Sequence, residues 1–315
     1  MAGGVAAAPF VLGGRAAAGT ARAAALPVSQ RFDLTQPSHD LFRNMPLHDQ
    51  TVMQSFAYDN VNRRLFTAQL KNGSGSDAAG DLCITQLDFS GNQLGFMFLE
   101  GFGHGVSIGA EPVGTATFLW TEVDAPNNGP GTSARGVRLA RFKFTSGTTL
   151  TAASSALQKH TPIAGVTTTT PAIDPVNERL VMRYATGGTF RYAVYDLADV
   201  NAGDYTPLVD IAQPAGLGTF QGYTIYGEFL YTIDGTAYDT SNPAPGNTFV
   251  TCVDLNTGAV VDREFTQAGS TLSYREPEGL AIYRTAAGET RLFLGFASGE
   301  SGGRMANLFY KNVLV

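Results

Sequence analysis

An all-β fold, a five-bladed β-propeller closed by an N-terminal outer strand, is predicted by three observations. The stretch Asp59-Asn60-Val61-Asn62-Arg63-Arg64-Leu65 returns as Asp174-Pro175-Val176-Asn177-Glu178-Arg179-Leu180, 115 residues further on, and internal repetition is an architectural signal. Five apolar strands each open on a polar residue followed by a small residue or Pro, at Gln54-Ser55, His104-Gly105, Thr170-Pro171, Gln221-Gly222 and Glu278-Gly279. The spacings between them are 50, 66, 51 and 57 residues, the period of propeller blades with loops of varying length. No long segment carries apolar residues at helical spacing, while Gly is abundant (37 residues) and charged residues are sparse (15%), as in a strand-and-turn protein.

The first thirty residues stand apart. Met1 to Ala25 is rich in Ala and Gly and ends in Ala23-Ala24-Ala25, a small-residue pattern suited to a signal peptidase. Residues 1–30 are therefore expected to be an export signal-like or disordered segment, with residues 31–315 forming one propeller. The segment Arg31-Phe32-Asp33-Leu34-Thr35 has the alternation of an outer strand. It is expected to close the last blade beside the C-terminal strand Leu308 to Val313, so that no sheet edge is left open.

Within the ring, each copy of the repeated heptad joins two strands. Met53 to Tyr58 runs into Leu65 to Leu70, and Pro171 to Ile173 into Leu180 to Tyr184. An Asp/Asn-rich connector suits such a hairpin because both side chains cap their own turns and tolerate left-handed backbone. Second strands end at Gln69, Glu122, Arg183, Thr232 and Gly295. Third strands follow over Ile84 to Phe89, Leu139 to Phe144, Tyr192 to Leu197, Phe249 to Leu255 and Leu308 to Val313. Cys83 and Cys252 fall on third strands of blades one and four, which are not neighbours in a ring of five. A disulfide between them is geometrically excluded, and two free buried thiols are expected.

The formal charge of −6 argues against nucleic acid as a partner. No apolar run reaches membrane-spanning length. There is no phosphate-binding Gly-rich loop, nucleophile elbow or Cys/His zinc spacing.

Function is expected at the mouth of the central channel, where the innermost strands begin. Gln54, His104, Thr170, Gln221 and Glu278 would converge there, joined by Gln69, Glu122, Arg183 and Asp234 from second strands and by Arg275 and Glu276 before the last start. Gln54, His104, Glu122, Arg183, Gln221, Arg275, Glu276 and Glu278 form the candidate ligand-binding set. Amides and carboxylates suit sugar hydroxyls, and Arg suits a phosphate or carboxylate held by two hydrogen bonds. His48 also precedes a blade start, and Phe102, Phe220 and Tyr274 are candidate stacking aromatics, whereas Trp120 is expected to pack between sheets. A catalytic alternative uses His104, Glu122 and Glu278 as acid and base groups of a glycoside hydrolase or polysaccharide lyase. No cofactor is expected. Glu276, Glu278 and Asp234 would suit Ca²⁺ by oxygen chemistry, but no compact aspartate-rich calcium loop accompanies them.

Three stretches carry a family resemblance: Arg31-Phe32-Asp33-Leu34 through Met53-Gln54-Ser55-Phe56, Gly101-Phe102-Gly103-His104-Gly105, and Arg275-Glu276-Pro277-Glu278-Gly279. They resemble secreted actinobacterial proteins of the teichoic acid biosynthesis protein C family, whose propeller is similar to that of receptor-binding proteins of phages that attack Gram-positive cells. The resemblance spans residues 31 to 315. It implies a five-bladed propeller associated with cell-wall glycopolymers, located outside the cell or at the wall, and it transfers no catalytic set. Recognition of a glycopolymer or related anionic carbohydrate and carbohydrate-active catalysis therefore both stand as readings of the same polar cluster.

Overall fold

The computed structural model describes residues 25–73, 75–127, 129 and 131–315; the expected export segment lies outside the described residues up to residue 24. The chain opens with β1 (His39–Pro46). Blade one follows as β2 (Met53–Asp59), β3 (Arg64–Leu70), a short α1 (Ser76–Ala79), β4 (Leu82–Leu87) and β5 (Gln93–Glu100). Blade two is β6 (Gly109–Val113), β7 (Ala116–Val123) and β8 (Arg138–Lys143). After it, β9 (Thr149–Thr151) adds parallel to β5 of blade one, and β10 (Gln158–His160) pairs with β8. Blade three is β11 (Thr167–Asp174), β12 (Arg179–Thr186), β13 (Thr189–Asp196), α2 (Leu197–Ala202) and β14 (Val209–Ala212). Blade four is β15 (Phe220–Tyr226), β16 (Phe229–Asp234), β17 (Phe249–Asp254) and β18 (Val260–Phe265). Blade five is β19 (Glu276–Arg284), β20 (Thr290–Ser298) and β21 (Met305–Lys311), with β1 antiparallel to β21 as its outer strand.

The ring is thus closed from the N-terminal side, but by a different segment from the one expected. Arg31 to Thr35 does not form the outer strand. Phe32 makes an isolated bridge to Leu314, with Arg31 and Val315 exchanging backbone hydrogen bonds. The alternation there reflects burial: Phe32 and Leu34 enter the core between blades four and five, and the Phe32 N–H donates to the Tyr231 hydroxyl at 2.9 Å. The packed chain also begins before residue 31, since Leu26 is buried against blades three and four.

The repeated heptads form matching hairpins. Asp59 Oδ1 accepts the Val61 and Asn62 N–H groups at 3.0 and 2.8 Å, and Asp174 Oδ1 accepts those of Val176 and Asn177 at 2.9 and 3.1 Å. Arg63 and Glu178 take the same left-handed backbone, φ 54° and 53°, the turn geometry such connectors favour. The second oxygen of each aspartate reaches the next blade. Asp59 Oδ2 accepts from Thr117 Oγ1 at 2.5 Å, and Asp174 Oδ2 from the Gly227 N–H at 2.9 Å. One side chain therefore both shapes the turn and joins neighbouring blades.

The polar-then-small starts have a packing reason. A Cβ on Gly222 would lie 2.6 Å from the Gly279 Cα, and one on Gly279, whose φ is +90°, would lie 3.2 Å from the Ser55 Cα. Ser55 Oγ in turn donates to the Gly105 carbonyl at 2.6 Å. Small residues let the blade starts crowd around the axis. His104 itself precedes the inner strand of its blade, which begins at Gly109. Below the starts, Ala57, Ile108, Ala110, Ile173, Leu280 and Ile282 surround a void of only about 10 Å³, so the axis is plugged by apolar side chains. Cys83 and Cys252 are free and buried.

Candidate functional site

Above the plug the channel opens into a cavity of about 560 Å³, bounded by residues from blades one, four and five and by the loop leading into blade two. This is the size range of small-ligand sites. Gln54 comes from the start of β2, Gln221 from β15, and Glu276 and Glu278 from β19; His104 is the fifth residue of the expected binding set to line it, and Glu122, Arg183 and Arg275 do not. Gln50, Asn72, Ser301 and Arg304 also line the cavity. They lie on connecting loops, which a ruler of blade starts passes over.

Two carboxyl groups dominate the chemistry. Glu278 is buried and its Oε2 finds no hydrogen-bond partner among the described residues. Burial first, then the like charge of Glu276, holds its carboxyl well above the usual range, so that a proton on Glu278 is favoured. Glu276 accepts a hydrogen bond from the Tyr274 hydroxyl at 2.6 Å, and Arg304 stacks over the Tyr274 ring at 3.3 Å. Tyr274 and Arg275 both adopt left-handed backbone, φ 64° and 38°, a costly conformation for large side chains that here leads directly into Glu276.

His104 is oriented by a residue with no motif of its own. Its Nδ1 lies 2.9 Å from Asp77 Oδ1, while Ser133 Oγ donates to Asp77 Oδ2 at 2.9 Å. The hydrogen bond to His104 is the largest cause of the lowered Asp77 pKa, ahead of that from Ser133. With Nδ1 engaged, Nε2 is the ring nitrogen left for a ligand.

Several expected site residues do other work. Glu122 does not line the cavity. It is fully buried and accepts N–H groups from His104 at 3.0 Å, Gly105 at 2.9 Å and Gly136. It is a strut for the glycine-rich segment carrying His104, and its carboxyl is raised by burial. Arg275 is also fully buried. It donates to the Ala268 and Thr266 carbonyls at 2.9 and 2.8 Å and to Thr248 Oγ1 at 3.1 Å, which leaves it no part in gripping an anion at the mouth. Arg183 lies between Phe190 and Phe220, 3.6 and 3.7 Å from the ring centroids, and donates to Gln213 Oε1 at 2.8 Å.

Asp234 is held by Arg263 at 2.7 and 2.9 Å and by the Gly218 N–H at 2.8 Å. It is thereby separated from the carboxylates with which it was expected to bind Ca²⁺. Among the described residues no cluster of three metal-ligating side chains forms. Gln69 is buried and supports the Asp49 and Thr51 carbonyls, and Thr170 is buried with its hydroxyl unpartnered among the described residues. His48 stacks on Phe96 at 3.4 Å instead of entering the cavity. Phe102 is core, packed edge-on to Phe142, and Trp120 is buried with its Nε1 donating to Glu111 at 2.7 Å.

Fold and cavity together define a five-bladed propeller with a polar, two-carboxyl pocket over a plugged axis. The chain belongs to the family described as phage 5-bladed beta propeller receptor binding platform domain, which matches residues 52–310. A protein of Bacillus subtilis (strain 168) that carries the name teichoic acid biosynthesis protein C is 31% identical over 289 residues, covering 88% of this chain and 63% of that protein. The tail fiber of Staphylococcus aureus phage P68 shares the fold at a TM-score of 0.66 and 20% identity, covering 90% of this chain and 52% of that one. The chain thus spans less than two thirds of either relative. Among the described residues no helix is long and apolar enough to cross a membrane.

Proposed function

We propose that this protein is an exported propeller that recognises a hydroxyl-rich segment of a cell-wall glycopolymer in the cavity at the mouth of its channel. The observation that carries this reading is the convergence of Gln54, Gln221, Glu276 and Glu278, from three blades, on one cavity of about 560 Å³. Amide and carboxyl groups fixed by a rigid ring match the donor and acceptor pattern of sugar and polyol hydroxyls. The family's description as a receptor-binding platform and the name of the Bacillus relative support a cell-surface ligand.

A second reading is favoured by the Asp77–His104 pair. An imidazole whose Nδ1 is held at 2.9 Å by a carboxylate presents Nε2 as a general base, and a protonated Glu278 is suited to act as a general acid. Its products would be new reducing or unsaturated ends from a polysaccharide.

One experiment separates the two. Purified glycerol- and ribitol-type teichoic acids and uronic-acid polysaccharides are incubated with wild type, Glu278→Gln, Gln221→Ala and His104→Asn. Saturable binding without new ends, weakened at least about tenfold by Gln221→Ala, supports recognition, since a lost buried hydrogen bond to a ligand is worth about 1–3 kcal/mol. New ends that vanish with Glu278→Gln and His104→Asn make the protein an enzyme and overturn the pure-binding reading.

A further inference from the structure

Residue 26 has a receptor of its own, on the opposite side of the chemistry described above. The Leu26 side chain is buried among Val181, Tyr192, Tyr223, Leu230 and Val253 of blades three and four, while Ala25, Pro27 and Val28 on either side are exposed. One side chain grips both polar atoms of its backbone: the Leu26 N–H donates to Asn256 Oδ1 at 2.7 Å, and Asn256 Nδ2 donates to the Leu26 carbonyl at 3.0 Å. Asn256 is itself fixed, its own N–H donating to Asp254 Oδ1 at 2.8 Å and its Nδ2 also to Glu228 Oε2 at 2.8 Å. Glu228 Oε1 accepts from the Ser29 N–H at 3.1 Å.

Glu228 is buried, yet among the described residues no Lys, Arg or His forms an ion pair with it. A buried carboxylate without a counter-charge is costly. Immediately before Leu26 stands Ala23-Ala24-Ala25, with small residues at the first and third positions ahead of the 25–26 bond, as signal peptidases require.

We propose that the Ala25–Leu26 peptide bond is a maturation cut, and that the new N-terminus at Leu26 is locked onto the propeller by Asn256 and Glu228. The proposal rests on the export part of the functional reading. A membrane-bound signal peptidase hydrolyses the bond with one water, leaving a carboxylate on Ala25 and an α-ammonium on Leu26. That ammonium keeps a proton for Asn256 Oδ1 and brings a positive charge to the corner where Glu228 holds Asn256 and Ser29. Cutting occurs on the unfolded, translocated chain; once blades three and four close over it, the Leu26 side chain is withdrawn from further trimming.

The test expresses the full chain in a secreting Gram-positive host, behind the basic and apolar regions of an export leader stripped of its own cut site. The intact mass and N-terminal sequence of the secreted protein are then read. A start at Leu26 is expected. Protein that starts elsewhere, or that is held at the outer face of the membrane by the uncut leader, overturns the cut while leaving export standing, and protein retained inside the cell overturns export and the cut together. Asn256→Ala, made in the same vector, is expected to keep the cut and lower the melting temperature by several degrees. Asn256→Ser, which keeps a side-chain oxygen, is expected to fall between Asn256→Ala and wild type. Equal melting temperatures for all three would overturn the lock.

Discussion

Glu122 is the residue on which sequence and structure differ most in meaning, and its replacement decides between them. As a strut it accepts three backbone N–H groups, those of His104 and Gly105 on Oε1 and that of Gly136 on Oε2. In Glu122→Gln the amide oxygen can keep the first two, but an NH₂ group then faces the Gly136 N–H, two donors meeting with no acceptor. Such an unmet buried donor costs about 1–3 kcal/mol. Loss of a carboxylate charge that burial disfavours offsets part of this. The expected net loss for Glu122→Gln is about 1–2 kcal/mol. Glu122→Ala strips all three donors and opens a void, and a loss of about 3–5 kcal/mol is expected.

Denaturant unfolding measures the totals, and amide hydrogen exchange localises them. The Gly136 amide should exchange faster in both variants and the Gly105 amide in Glu122→Ala, whereas Glu278→Gln should leave both protected. If Glu122→Gln instead kept wild-type stability and protection while abolishing polymer binding or turnover, Glu122 would be a site residue and the strut argument wrong.

Three further outcomes follow from the same geometry. Glu278 has a folded-state pKa above its unfolded value, so the fold favours its protonated form. Its contribution to stability is fully present below about pH 4.3, the unfolded pKa, and is lost as pH rises toward the folded one, at up to about 1.4 kcal/mol per pH unit. Glu278→Gln should therefore gain stability over wild type at pH 8 relative to pH 4, and parallel pH–stability curves would refute the assignment. Gly222→Ala places a methyl 2.6 Å from the Gly279 backbone and should cost about 1–3 kcal/mol by overpacking; a neutral effect in urea unfolding would show that the blade starts are not in tight contact. Cys83 and Cys252 are buried, with burial pushing both thiols up to about 12. Neither should react with a thiol reagent at pH 8 until the protein unfolds, and rapid native labelling of either would contradict their packing.

The hairpins were legible because their cause is local: an Asp that caps its own turn announces itself in sequence as clearly at Asp59 as at Asp174. Blade starts were legible through the crowding that demands Ser55, Gly222 and Gly279. The same rule misplaced the second blade, because Gly103 is small where it passes against the Glu122 side chain, and Gly105 where it takes a left-handed backbone beside Leu82, rather than to open a strand. The closing strand was hidden for the opposite reason. β1 is mostly solvent-facing and contains a left-handed Asn44 and a terminal Pro46, whereas Arg31 to Thr35 alternates because Phe32 and Leu34 are buried without strand pairing of any length. Within the site, residues on inner strands could be placed by period. Asn72 and Arg304 lie on loops, and Asp77 on the single turn of α1 inserted between β3 and β4, whose paths only long-range packing determines.

Under the proposed recognition of a wall polymer, the charge at the mouth limits which part of it the cavity would hold. Glu276 and Glu278 are neighbours on one strand, and any phosphate or uronate pressed against them would meet the carboxylate of Glu276, while the buried Glu278 carboxyl, which favours its proton, offers no positive charge. Of the arginines expected to receive an anion, Arg275 is occupied by two backbone carbonyls and a threonine hydroxyl, and Arg183 is wedged between two phenyl rings. Arg304, the arginine that does line the cavity, is stacked on Tyr274 and also donates to the Gly299 carbonyl. The recognised segment should then be neutral, a run of hydroxyls with its phosphates left at the rim. Screening follows from this. Raising salt from about 50 to 500 mM shortens the Debye length from roughly 14 to 4 Å, and affinity for a polyol phosphate should change by less than about threefold. A fall of more than about tenfold in a binding titration would mean that phosphate charge is the main determinant, and the two-carboxyl cavity would lose its place as the recognition site.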